Sequence, residues 1–446
     1  MKYSVSDIII KKRNGGKLSA DEIGFFVEEY TKGEIPDYQA AALLMAIYFQ
    51  HMDEEETFAL TEAMKNSGDI VDLSNIKGIK VDKHSTGGVG DKITLIVAPI
   101  VAACGVPVAK MSGRGLGFTG GTIDKLESIE GFNTVLAPED FHNQVNEIGI
   151  ALIGQSGHIA PADKKLYALR DVTGTVPNLS LISSSIMSKK LAAGSDAILL
   201  DIKCGKGAFM ETFDDAKALA ETMCKIGESA GKRTVAVITD MSQPLGYAVG
   251  NSIEVEEAVD VLKGQKWPED VVELSLYLAG IMIYLGGKAN SAEEGRKMAE
   301  EVVKNGAAFE KFKEMVKRQG GNPTVIEGIQ TEDGWTYPNM PASEFKNEIR
   351  AEKSGYICEI NAGEIGNASQ HTGAGRATKE DTIDHSAGIS VVVNVGDYVE
   401  KGSLLATCYS NSEWKLEKAS EEAAKAFSIG DEAPEVPKLI KATIGL

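Results

Sequence analysis

From about residue 78 to residue 240, short β-branched runs (79–81, 106–110, 197–202 and 234–239) alternate with helical stretches. Strands separated in this way pair as a mainly parallel sheet with helices on its faces. Ligands of such sheets bind at the carboxyl ends of the strands, so chemistry is expected in the segments that follow each run. The first is Val81-Asp-Lys83-His84-Ser85-Thr-Gly-Gly-Val-Gly90-Asp91, in which a strand delivers a lysine, an imidazole and two hydroxyls into a loop with three glycines. Glycines let consecutive N–H groups turn into one concavity, and the helix that follows adds positive potential, which together suit a phosphate. A ligand-free glycine turn is the less economical reading of so many polar groups in so short a stretch.

The second strand end runs Val108-Ala-Lys110-Met-Ser112-Gly-Arg114-Gly115-Leu-Gly117-Phe118-Thr-Gly120-Gly-Thr122. Its G-x-G-x-x-G starts several residues past the strand and follows an arginine, whereas a dinucleotide fingerprint belongs directly at the strand–helix turn. No G-x-x-x-x-G-K-[ST] loop occurs, which removes the common NTPases. A helical passage from Pro161 to about Ala193 interrupts the alternation and reads as a return to a helical domain. There Ser185 and Lys189 lie one turn apart on one face, with Arg170 upstream. Such a face is either solvated or, in a cleft between domains, able to donate to the carbonyls of a heterocycle.

The first 66 residues read as helices only, with Ser19/Glu22 and Asp53/Glu56 as capping boxes and Pro36 opening a helix between them. A length of 446 residues with 43% hydrophobic content fills about three domains. The boundaries read as 1–66 with 161–193 for a helical domain, 70–160 with 194–335 for an α/β domain, and 340–446 for a β-rich C-terminal α+β lobe. Within that lobe Val395–Gly402 resembles the hairpin of biotinyl and lipoyl carriers. No M-K-M or D-K-A triplet accompanies it, so a structural lobe is expected. With 46 Lys+Arg against 65 Asp+Glu, the net charge of −19 argues against nucleic acid or an anionic membrane as partner. The longest apolar run, Leu95–Cys104, is too short to cross a bilayer. Five scattered cysteines without a C-x-x-C pair, and an N-terminus without a secretory h-region, point to a cytoplasmic chain.

Taken in order, Lys83–Asp91, Ser112–Glu127, Tyr167-Ala-Leu-Arg-Asp-Val-Thr-Gly-Thr175, Ser184-Ser-Ile-Met-Ser-Lys-Lys190 and Asp240–Asn251 resemble the thymidine and pyrimidine-nucleoside phosphorylases over essentially the whole chain. Val108-Ala-Lys110 is more similar to the branch of broad pyrimidine-nucleoside specificity. The resemblance implies a homodimer with phosphate on the α/β domain and pyrimidine on the helical one. It implies phosphate held by Lys83, Ser85, Thr94, Ser112 and Thr122 with Lys110 nearby, and the base held by Arg170, Ser185 and Lys189. The catalytic donors would be Arg170, Lys189 and His84, the last protonated and approaching a pyrimidine carbonyl. The implied reaction is reversible phosphorolysis of uridine, thymidine or deoxyuridine to free base and (deoxy)ribose 1-phosphate, with inorganic phosphate as co-substrate and no organic cofactor. Alternatives are an anthranilate-type phosphoribosyltransferase, whose G-T-G-G-D and K-H-G-N-R phrases are replaced here, and a non-catalytic nucleoside or phosphate sensor.

Two positions depart from the family. Phe118 stands where histidine is usual, and Lys92 where an uncharged residue is usual. A potassium-like ion is implied by the resemblance at Gly90, Leu245, Ala248 and Glu257, and an ammonium at residue 92 competes with it. The expectation is that Lys92 reaches Glu257 and replaces the ion. Hinges are expected near Asp69, Ser156 and Gly194.

Overall fold

The chain opens with four helices whose boundaries follow from local chemistry. They are α1 (Val5–Arg13), α2 (Ala20–Lys32), α3 (Asp37–Gln50) and α4 (Glu54–Lys65). Both capping boxes form, Ser19 with Glu22 and Asp53 with Glu56, so each helix starts where two orphan N–H groups are satisfied reciprocally. The computed structural model describes residues 2–115, 117, 120–332, 334–376, 378 and 381–446. The expectation about Phe118 therefore lies outside the described residues.

The alternation that follows folds as β1 (Val81–Ser85), α5 (Ile93–Ala103), β2 (Val108–Ser112), α6 (Thr122–Leu126), α7 (Pro138–Ile148) and β3 (Ile150–Gly154). Two helices, α8 (Pro161–Thr173) and α9 (Leu179–Ala192), intervene before β4 (Ala197–Cys204), α10 (Phe213–Ser229) and β5 (Arg233–Asp240). Strands β1, β4 and β5 pair in parallel, and β2 pairs in parallel with β3. Helix α5 is apolar all round and buried along its length, as expected for a helix enclosed between sheet and helices rather than lying on a surface. Helices α8 and α9 contribute Ala162, Leu166 and Leu181 to the core of α1–α4, so the helical unit is assembled from two separate stretches of chain. Chain crossings between the two units are packed. Asp69 N–H donates to His158 O at 2.9 Å and Val71 N–H to Ala192 O at 2.8 Å.

The C-terminal lobe interlocks with the α/β unit through strands. β6 (Ala248–Gly250) is the edge of an antiparallel sheet completed by Gly388–Val391, Leu404–Ser410 and Phe345–Arg350. The last strand, Ile440–Ile444, returns to pair antiparallel with β5. Helix α11 (Ser252–Leu262) follows β6 directly. Among the described residues no helix is long and apolar enough to cross a membrane.

Candidate functional site

The carboxyl end of β1 sets the site. Alternation along a strand sends neighbouring side chains to opposite faces, and Val81, Asp82 and Lys83 are nevertheless all buried, so both faces of the strand are covered here. Lys83 Nζ lies 3.2 Å from Asp201 and 3.8 Å from Asp91, and it makes no hydrogen bond among the described residues. Lys203 Nζ is 2.9 Å from the same Asp201 carboxylate, which also accepts from Thr239 Oγ1 at 2.7 Å. Burial alone would raise the Asp91 carboxyl, but the charges of Lys83, Lys203 and Lys125 hold it far below the usual carboxylate range.

On the other flank, Asp82 faces two ammonium groups at once. Lys110 Nζ donates to it at 2.9 Å and Lys190 Nζ at 2.9 Å. Lys110 also donates to Lys83 O at 2.5 Å, so β2 is tied to β1 by a side chain where no ladder joins them. One carboxylate is thereby shared by two lysine side chains beneath the strand ends. Burial and the neighbouring Lys190 and Lys83 charges, working against Asp82, bring the Lys110 ammonium down to about 7.

Around this base sit the loop residues. Ser85 Oγ accepts from Gly87 N–H at 3.2 Å, giving the turn after β1 its shape. Gly90 has φ +73°, and a Cβ there would stand 2.5 Å from Leu245 O, so only glycine fits. Thr94 is buried in the first turn of α5, Ser112 is buried at the end of β2, and Thr122 begins α6 and is half-buried. A cavity of about 690 Å³ opens beside Ser112, Gly113 and Arg114 and runs to Asp69–Asp72 and Gln155–Ser156, with Met111, Ile123 and Ile153 in its apolar wall. Ser112 is the one predicted site residue it includes.

The helical side offers a second group of donors. Lys189 Nζ contacts Ser185 Oγ at 3.2 Å and pairs with Asp163, so the two predicted α9 residues meet on one face. The second oxygen of Asp163 is buried without a hydrogen-bond partner among the described residues. Arg170 is buried and spends three N–H groups on backbone carbonyls, Thr175 at 3.3 Å, Leu181 at 3.0 Å and Val176 at 2.7 Å. Its other two N–H groups have no hydrogen-bond partner among the described residues. Burial lowers its guanidinium to about 10.

His84 corrects an expectation. Burial first, then the Lys190 and Lys110 ammoniums, push its imidazole well below the ordinary range despite Asp82. That direction favours the neutral ring over the imidazolium at this strand end.

Lys92 is fully buried, and its Nζ donates to Leu245 O at 2.8 Å, Ala248 O at 3.0 Å and Glu257 Oε1 at 3.0 Å. Leu245, Ala248 and Glu257 are three of the four positions the resemblance assigned to a monovalent cation, Gly90 being the fourth, and an ammonium already spans their oxygens. The residues present therefore do not fit a bound potassium ion. The Glu257 carboxylate also accepts from Tyr247 N–H at 3.0 Å and Ala248 N–H at 2.7 Å.

Sequence reasoning missed Asp82, Asp91, Asp163 and Asp201, the carboxylates that hold the lysines in place. The only signal for Asp82 was an acidic residue inside an otherwise buried strand, and Asp163 stood one turn into α8 without a partner visible in sequence.

A helical bundle thus packs on a mainly parallel α/β sheet, with lysines and hydroxyls gathered at the strand ends. Residues 6–68 match the glycosyl transferase family, helical bundle domain, and residues 77–309 match the glycosyl transferase family, a/b domain. Residues 356–430 match the pyrimidine nucleoside phosphorylase C-terminal domain. The chain is 57% identical over 407 residues to the pyrimidine-nucleoside phosphorylase of Staphylococcus haemolyticus (strain JCSC1435), covering 91% of this chain and 92% of that one. It is 56% identical over 405 residues to the enzyme of the same name from Staphylococcus aureus (strain MSSA476), with coverages of 91% and 92%. The chain belongs to the pyrimidine-nucleoside phosphorylase family. Its fold is also that of anthranilate phosphoribosyltransferase from Thermus thermophilus, with a TM-score of 0.55 at 23% identity over 70% of this chain and 99% of that one.

Proposed function

We propose that the chain catalyses reversible phosphorolysis of pyrimidine nucleosides. A phosphate oxygen forms the bond to the anomeric carbon as the N-glycosidic bond breaks, and the electron pair leaves on the pyrimidine nitrogen. The observation that supports this reading is the buried lysine cluster at the β1 end, where Asp82 is shared by Lys110 and Lys190, and Lys83 Nζ, 3.2 Å from Asp201, makes no hydrogen bond among the described residues. Lys83, Ser85, Thr94, Ser112 and Thr122 hold phosphate, with Lys110 beneath them. Held there, phosphate attacks from the face opposite the base with inversion, and much of the entropic barrier is removed in advance. On the helical side, Ser185, Lys189 and the free N–H groups of Arg170 face the pyrimidine edge and stabilise the negative charge that develops there. His84 acts as a neutral N–H donor toward a carbonyl. No covalent enzyme intermediate is required, and a single inversion makes the α-linked sugar 1-phosphate from a β-nucleoside. Identification of that anomer by phosphorus and proton NMR tests the reading, and a β-linked or unphosphorylated sugar product overturns it.

Phosphate and base sit on different units, so reaction requires closure about the crossings near Asp69, Ser156 and Gly194. We assign the exposed stripe of α3, Tyr38, Met45 and Phe49 at helical spacing, to a homodimer contact of this cytoplasmic enzyme. Light scattering giving a monomer at micromolar concentration contradicts that contact. Lys92 takes the place of a bound cation beside the first glycine loop, a role supported by its three oxygen partners.

A further inference from the structure

We infer that the C-terminal lobe shapes the second phosphate-side loop through Arg376, which makes Arg376 and Asp124 positioning residues for the anion. The inference rests on the phosphate assignment above and extends it to a part of the chain that contacts no proposed substrate.

Asp124 lies in α6, two residues after Thr122, and is completely buried. One of its oxygens accepts from Gly115 N–H at 2.7 Å. The other accepts from Arg114 Nη1 at 3.1 Å and from Arg376 Nη1 at 3.0 Å. The carboxylate thus clamps the start of the loop to the start of α6. The two ends meet only because residue 121 has no side chain. A Cβ at Gly121 would stand 2.0 Å from Gly115 N and 2.7 Å from Asp124 Oδ2. Both hydroxyls assigned to phosphate on this side, Ser112 and Thr122, are within three residues of that clamp in sequence.

The two arginines are not equivalent. Arg114 is half-exposed and commits Nη1 and Nη2 to Glu127 at 2.5 and 2.7 Å, and Glu127 in turn accepts from Thr134 Oγ1 at 2.9 Å. Arg376 is 17% exposed and arrives from the C-terminal lobe, 252 residues away in sequence. The helix Ala362–Ser369 ends in a wide turn over Gln370–Ala374, in which Gly373 takes φ +112°. Gln370 Nε2 donates to Arg376 O at 2.6 Å, and the buried Asn251 Nδ2 at the N-cap of α11 donates to Ala374 O at 2.8 Å. Ser369 Oγ donates to Val249 O at 2.9 Å. A segment braced in this way against the α/β unit delivers one guanidinium to one buried carboxylate. Without that charge the one cation left on Asp124 among the described residues is the shared, half-exposed Arg114, and the clamp between Gly115 and the start of α6 loosens.

The test is a pair of measurements on full-length R376A and R376K. In steady-state phosphorolysis of uridine, R376A raises the phosphate KM about tenfold, the worth of one charge-assisted hydrogen bond, and leaves the uridine KM within about twofold. R376K recovers most of the loss. Titration calorimetry with inorganic phosphate alone gives the same tenfold loss without any turnover, so the inference is read even if uridine is not the substrate. Where R376A does not fold, D124N carries the same test, since it retains an acceptor for Gly115 and loses the charge that faces Arg376. An unchanged phosphate affinity with a lowered melting temperature marks an ordinary inter-lobe ion pair and overturns the inference. Parallel loss of both KM values overturns it as well.

Discussion

Replacing Lys92 by threonine removes an ammonium that is fully buried and bonded to three oxygens, Leu245 O at 2.8 Å, Ala248 O at 3.0 Å and Glu257 Oε1 at 3.0 Å. Taking one partner from a buried ion pair costs about 3 to 5 kcal/mol. The lower end applies here, because Glu257 keeps its bonds from the Tyr247 and Ala248 N–H groups. Burial, opposed by Lys92, also already raises its carboxyl, so protonation offers a partial escape. The vacated space is bordered by two carbonyls, a carboxylate and the new hydroxyl, a hard-oxygen set suited to a monovalent cation. An ion at about 100 times its Kd returns about 2.7 kcal/mol, close to the whole loss. The assay is thermal unfolding of wild type and K92T, each in a potassium- and sodium-free buffer and again with potassium chloride. Wild type melts at the same temperature in both, whereas K92T melts lower without potassium and recovers with it. A wild type whose melting temperature and activity need potassium, or a K92T as stable as wild type in its absence, refutes the tethered-cation argument.

Lys83→Ala removes an ammonium at the β1 end that makes no hydrogen bond among the described residues. The expected loss of kcat/KM for phosphate is about two orders of magnitude, with the nucleoside Kd little changed, and steady-state kinetics with direct binding separates the two. His84→Gln leaves the shape of the pH–rate profile unchanged, because burial and the Lys190 and Lys110 charges hold the imidazole well below its ordinary range. Loss in the variant of an inflection near the ordinary histidine value shows instead that His84 titrates. Burial and then the charge of Asp260 push the Glu256 carboxyl up from 4.5 to about 7. A carboxyl raised on folding gives stability that is full below its unfolded value and is lost as pH rises through its folded one. The contribution of Glu256 to stability therefore falls between about pH 4.5 and pH 7, and it is read as the difference between wild type and Glu256→Gln in chemical denaturation. Glu256→Gln flattens that slope and is the more stable form above that range, a result that denaturation midpoints check directly.

The helices of the first unit were legible because their signals are local. Ser19/Glu22 and Asp53/Glu56 fix helix starts within four residues of sequence. Strands β4 and β5 were legible in place, β3 was not among the β-branched runs, and β1 and β2 sit further on than theirs. β1 ends at Ser85 and β2 at Ser112, since a parallel ladder accepts any residue whose backbone pairs. The lysines and glycines of the loops stood out by type and spacing. Their partners did not, because Asp82, Asp163 and Asp201 acquire meaning only when β1, α8 and β4 are brought against other elements. Arg170 shows the same limit, since no sequence pattern reveals that its N–H groups meet the carbonyls of Thr175, Val176 and Leu181. The return of Ile440–Ile444 to the edge of β5 is a pairing between stretches far apart in the chain, and no short-range signal encodes it.

The most direct measurement of the central claim is an absorbance assay for base release from uridine, thymidine and deoxyuridine, each with and without phosphate. Strict dependence on phosphate, with uracil or thymine released in equal amount to sugar 1-phosphate and inosine inert, is the predicted result. Release at the same rate without phosphate, or turnover only of a phosphoribosyl pyrophosphate with an aromatic amine, contradicts it.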